Sequence, residues 1–140
     1  MPSSNLLANN ILQYLFTGGT IIAKPTKVYI GLSTTIPNAD GTNITEPSGN
    51  AYTRVEMNCT TAMWDITVNK QLSNKSAVIF PKATANWNTH TNTTADVLYA
   101  VLFTASTSGT FLSYCQVPYK WIQAGTEYYI GVGNLKFKMM

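Results

Sequence analysis

Beyond Pro25 the apolar residues change their period from that of a helix to that of a strand, and this switch constrains the fold most. Val28, Ile30 and Leu32 alternate with Lys27, Tyr29 and Gly31. Tyr52, Arg54 and Glu56 then alternate with Thr53, Val55 and Met57. A period of two sends successive side chains to opposite faces of a sheet. Further strands are predicted over 64–68, 76–80, 97–104, 110–117 and 127–137, separated by Asn, Gly and Pro turn formers. The run 97–103 is almost wholly apolar, which predicts a strand buried on both faces. Gly131 and Gly133 predict a bulge or a close backbone approach in the last segment.

Before Pro25 the pattern is helical. Leu7, Ile11, Leu12 and Leu15 recur at three- and four-residue spacing, Ser3 and Ser4 can cap, and Gly18-Gly19 can terminate. A short amphipathic helix over about 4–16 follows, its apolar stripe packed on its own domain. Between the first two strand patterns lies a polar loop over about 33–50, rich in turn formers and longer than ordinary connections. The expectation is a single domain over 1–140 that is mainly β: an antiparallel β-sandwich or jelly roll behind one N-terminal α-helix.

Composition sharpens the functional reading. Only 11% of the 140 residues are charged, against about 25% in an average soluble domain. Asn, Thr and Ser fill the gap, while 11% aromatic content excludes a disordered chain. The net charge of +3 comes from scattered lysines and one arginine, Arg54. No arginine cluster exists to hold phosphates, so no nucleic-acid partner is expected. No apolar run reaches the roughly 20 residues that span a bilayer, and no signal peptide is legible, so no membrane partner is expected. Cys59 and Cys115 are read as buried thiols, with a bridge open only if their strands are neighbours.

Catalytic chemistry is hard to assemble from this inventory. The one histidine, His90, lies in a polar stretch with no second ligand or base beside it. Asp65, Asp96 and Glu127 are the acids that could pair in space in a hydrolase, but no motif joins them. The expectation is no enzyme, no metal and no cofactor. Trp64, Trp87 and Trp121 are either core residues or platforms for sugars. Trp87 and His90 sit among Asn and Thr, which hydrogen-bond hydroxyls without charge, and they are the candidate glycan contacts.

Three segments carry a resemblance. They are Val28-Tyr-Ile-Gly-Leu-Ser-Thr-Thr35, the loop Pro37-Asn-Ala-Asp-Gly-Thr42, and Thr45-Glu-Pro-Ser-Gly-Asn-Ala-Tyr-Thr-Arg-Val55. Val78-Ile-Phe-Pro81, Trp87, Gly109-Thr-Phe-Leu112, Gly125 and Gly133-Asn-Leu135 follow in order. The series resembles small virion proteins of tailed bacteriophages, a family often called phage tail fibre proteins. It departs from that pattern at Asn88, where the family tends to Gly. The resemblance implies a structural role on a virion, assembled in the bacterial cytoplasm. Long fibres use coiled coils or repeated β-structure, and neither pattern is present. The preferred expectation is therefore a capsid decoration or cement protein that binds the major capsid protein or other virion proteins. The alternative is a tail fibre, tail-tip or baseplate subunit that contacts host glycan. Self-association as a dimer or trimer is expected in either case. Leu7, Ile11, Pro37, Asp40, Glu46, Tyr52 and Arg54 are the candidate assembly contacts.

Overall fold

A computed structural model describes residues 4–18, 25–67 and 71–138. Among these residues helix α1 spans Asn5–Phe16, and nine strands follow it: β1 Lys27–Ser33, β2 Val55–Asn58, β3 Trp64–Ile66, β4 Gln71–Asn74, β5 Val78–Ile79, β6 Leu98–Phe103, β7 Phe111–Val117, β8 Tyr129–Ile130 and β9 Lys136–Lys138. All pairings are antiparallel. The strands divide into sheets ordered β2-β1-β6-β7, β3-β4-β9 and β5-β8, rather than into the two four-stranded sheets of a jelly roll. The chain is mainly β with one short helix, as its periodicity predicts.

The alternation in β1 and β6 builds the core. Val28, Ile30, Leu32, Leu98, Ala100 and Leu102 face one way and meet Val78, Ile130 and Phe137 from the smaller sheets, with Phe80 and Leu135 that flank their strands. The opposite face of β6 carries Tyr99, Val101 and Phe103, which pack with Phe111 and Tyr114. All six residues of β6 are buried, and that two-sided burial explains the apolar run. The segment 127–137 breaks into two strands because a turn intervenes. Asn134 N–H donates to the Gly131 carbonyl at 3.1 Å, and Gly133 takes a positive φ of 78°.

Strand β4 was not expected, and the segment 68–70 before it lies outside the described residues. Only Val78 and Ile79 of the predicted 76–80 strand are paired. The two cysteines form no disulfide. Cys115 lies on β7 and Cys59 just beyond β2, at opposite edges of one sheet. Three strand spacings, about 14 Å, exceed the reach of a disulfide. Burial pushes the Cys115 thiol up to about 11. A thiol reagent is therefore expected to label Cys59 alone in the native protein and both cysteines after denaturation, counted by mass spectrometry.

Helix α1 corrects one expectation. Its start is fixed, since Ser4 N–H donates to Leu112 O at 2.8 Å and Asn5 N–H to Ala39 O at 2.9 Å. Ile11 is half-buried, but the stripe does not stay on the domain. Leu12, Leu15 and Phe16 are 55%, 62% and 76% exposed. Gly18 takes a positive φ of 67° beyond the helix, whereas Gly19 and the Leu7 side chain lie outside the described ones.

Candidate functional site

The motif residues of the long loop come together, but they face inward. Glu46 receives Arg54 through two bonds, Nε to Oε1 at 3.0 Å and Nη2 to Oε2 at 2.6 Å. Arg54 Nη1 donates to the carbonyls of Ala105 and Ser108, each at 2.8 Å. Its guanidinium carbon lies 3.5 Å from the Phe103 ring centroid. The Tyr52 hydroxyl donates to Glu46 Oε1 at 2.7 Å and accepts from Leu32 N–H at 2.9 Å. Burial and the Glu46 carboxylate both push the Tyr52 phenol far above its ordinary range.

Gly31 lies beneath this group. A Cβ there would stand 2.6 Å from Glu46 Oε1 and 3.0 Å from the Tyr52 oxygen, so only glycine leaves room for the ion pair. The cluster ties the long loop, β1 and the β6–β7 turn into one body. Glu46, Tyr52 and Arg54, named above as assembly contacts, thus have their polar groups engaged within the chain. Pro37 is buried and Asp40 exposed. The Asp40 carboxylate accepts from Thr42 N–H at 2.9 Å and its hydroxyl at 2.6 Å, which closes the loop on itself.

The outward-facing chemistry lies where segment 86–92 runs beside segment 118–124. Trp87 N–H donates to Ile122 O at 2.9 Å. Asn88 bridges twice, from Nδ2 to Lys120 O and from Ile122 N–H to Oδ1, both at 2.8 Å. Asn88 is the departure from the family pattern, and its side chain supplies pairing that a glycine lacks. The Tyr119 hydroxyl donates to Thr89 O at 2.7 Å.

His90 completes an aromatic stack. Its ring is nearly parallel to Tyr119 at 5.9 Å and to Trp121 at 5.2 Å. Its Nδ1 lies 3.1 Å from Asp96 Oδ2 and 3.3 Å from the Tyr119 oxygen. The carboxylate is an acceptor, and the Tyr119 proton is already given to Thr89. Nδ1 therefore carries the hydrogen, and in the neutral ring Nε2 is the acceptor. Asp96 is held by Thr91 and Asn92 N–H groups and the Thr91 hydroxyl. These bonds, led by Thr91, hold its carboxyl below the ordinary carboxylate value of 3.8. Their support of the loop is complete above that value and is lost as pH falls through the lowered one.

An open groove of about 430 Å³ lies against this stack, lined by Asn86, Trp87, Asn88, Thr89, His90 and Trp121. The two sequence candidates separate here. Trp87 is only 6% exposed, donates Nε1–H to Asn50 O at 2.8 Å, and packs edge-on against Tyr52 and Phe80. It is a core residue that backs the groove. Trp121 is 38% exposed and lines the open groove. Asp65 lines a different groove and Glu127 a third, while Asp96 is committed to its loop. Among the described residues no group of three or more His, Cys, Asp or Glu could hold a metal ion, and no helix is long and apolar enough to cross a membrane.

A family model described as podophage GP4 fiber I protein gp80 matches residues 2–138. The chain belongs to that family. It is a structural protein of a bacteriophage virion. No curated relative matches it. Membership in the gp80 family gives the inward cluster its meaning, because Gly31, Glu46, Tyr52 and Arg54 are the residues that carried the phage resemblance. In this gp80-family chain their polar groups are engaged within the fold.

Proposed function

We propose that this protein is a fibre-type subunit of the phage tail apparatus and that its Trp121–His90 groove binds glycan on the host surface. The exposed aromatic platform within a neutral polar rim supports the reading best. A sugar has an apolar face and a ring of hydroxyls. Trp121 matches the face, and His90 Nε2, Asn86 and Thr89 match the hydroxyls. No Lys, Arg, Asp or Glu lines the groove, so a neutral saccharide suits it better than a charged one. The match to a fibre family favours the tail over the head. The role is binding rather than catalysis and uses no cofactor.

An open groove holds a single saccharide weakly. A fibre presents several copies at once, and linked sites gain about 10²- to 10⁴-fold in avidity. Purified protein immobilised at high density is expected to capture host-surface polysaccharide. Trp121→Ala is expected to weaken binding at each site about tenfold, roughly 1.4 kcal/mol, with the fold retained by circular dichroism. No capture by the wild type, or equal capture by the variant, would count against the groove. Gold-labelled antibody should mark the tail of intact virions, and labelling spread over the head would favour the capsid-decoration reading instead.

A further inference from the structure

A second groove adjoins the strip of chain that carries Trp121. It encloses about 370 Å³, and its walls include Pro118, Tyr119, Lys120, Glu127, Tyr129 and Asn134. Tyr129 is 65% exposed, and Lys120 and Glu127 are exposed as well. Asn134 is set in the wall by a small neighbour. A Cβ on Gly131 would stand 3.1 Å from Asn134 Nδ2, so glycine gives the amide its room.

Segment 118–121 is bonded to the walls of both grooves. Toward the first, Lys120 O accepts from Asn88 Nδ2 at 2.8 Å and the Tyr119 hydroxyl donates to Thr89 O at 2.7 Å. Toward the second, Lys120 Nζ donates to Glu127 O at 2.9 Å and Pro118 O accepts from the Tyr128 hydroxyl at 2.8 Å. Tyr119 is common to both. Its ring stacks on His90 of the first groove and lines the second. Tyr119 and Trp121 are two residues apart, at most about 7 Å along the chain.

We propose that the two grooves are consecutive subsites for one saccharide chain, so that the ligand is an oligosaccharide or polysaccharide rather than a single sugar. This rests on the glycan reading of the Trp121 groove and extends it. Tyr129 offers a second ring face of the kind that Trp121 offers. The Glu127 carboxylate accepts from hydroxyls, and the Lys120 ammonium has three donors, of which the Glu127 carbonyl takes one. The acid and the base offset each other, so the second groove adds no net charge and still suits a neutral chain. Size agrees. A void of about 150 Å³ holds a benzene-sized group of about six heavy atoms, and a sugar residue has about eleven, so each groove takes about one residue.

Nuclear magnetic resonance titration of the full chain with fragments of host-surface polysaccharide tests it, from single sugars to progressively longer pieces. Affinity is expected to rise about tenfold between the single sugar and the first fragment that fills both grooves, and then to level off. Tyr129→Ala and Glu127→Ala should each bring the longer fragments down toward the affinity of the single sugar, whereas Trp121→Ala should weaken every fragment. Both second-groove side chains are exposed, and circular dichroism should report a retained fold. Binding that depends on Trp121 but gains nothing with length would overturn the second subsite and leave the Trp121 groove standing. A gain with length that survives both second-groove substitutions would do the same. Failure of every fragment to bind would overturn the reading of the Trp121 groove and this inference with it.

Discussion

Arg54→Ala is expected to destabilise the protein by about 3 kcal/mol, the lower end of the cost of breaking a buried ion pair. The Arg54 and Glu46 side chains are 8% and 22% exposed, so some water still reaches the carboxylate. For a domain of this size the melting temperature should fall by about 10 °C. The loss has three parts. Glu46 keeps its negative charge and loses both guanidinium bonds. The carbonyls of Ala105 and Ser108 lose their shared donor. Phe103 loses the cation over its ring. Arg54→Lys should fall between, because an ammonium restores charge but not the planar fork or the stacking. A melting shift within a degree or two of wild type for Arg54→Ala would show that the cluster does not hold the loop.

Gly31→Ala is expected to cost about 2 kcal/mol, as overpacking of a tight site does. The new methyl would meet Glu46 Oε1 at 2.6 Å. That oxygen is no loose end, because Arg54 and Tyr52 both bind it. Removing Arg54 releases the carboxylate to move. Gly31→Ala should therefore cost clearly less in the Arg54→Ala background than in the wild type. Additive costs, measured by chemical denaturation of the four proteins of the cycle, would contradict a shared site.

The strands that build the core were legible because each has a buried face with a strict period. Val28, Ile30 and Leu32 in β1 are the clearest case, and β6 declared itself by apolar continuity. Strand β4 was not legible. Gln71-Leu-Ser-Asn74 is mostly polar, and its place depends on pairing with both Trp64–Ile66 and Lys136–Lys138. Such pairing is a tertiary fact with no local signature.

The helix shows a different limit. Its periodicity announced an apolar face, but the expectation that its own domain covers that face fails for Leu12, Leu15 and Phe16. The inward cluster was half legible. Tyr52 and Arg54 alternate on one side, and Arg54 is the one arginine in a chain with eight lysines. A bidentate, stacked site needs that residue type. What the sequence left out was the approach of Glu46 and the turn after β6 to the same point. The tryptophans posed the same problem. Trp87 and Trp121 both lie near polar residues, and only the pairing of segments 86–92 and 118–124 buries one and exposes the other.

The most direct test of the functional account uses the whole virion. Phage carrying Trp121→Ala should assemble in normal numbers with normal particle stability, since Trp121 lies outside the core. Its adsorption to host cells should be at least several-fold slower than wild type, and soluble host polysaccharide should inhibit only the wild type. Adsorption of the variant at the wild-type rate, with the same sensitivity to the polysaccharide, would contradict the account.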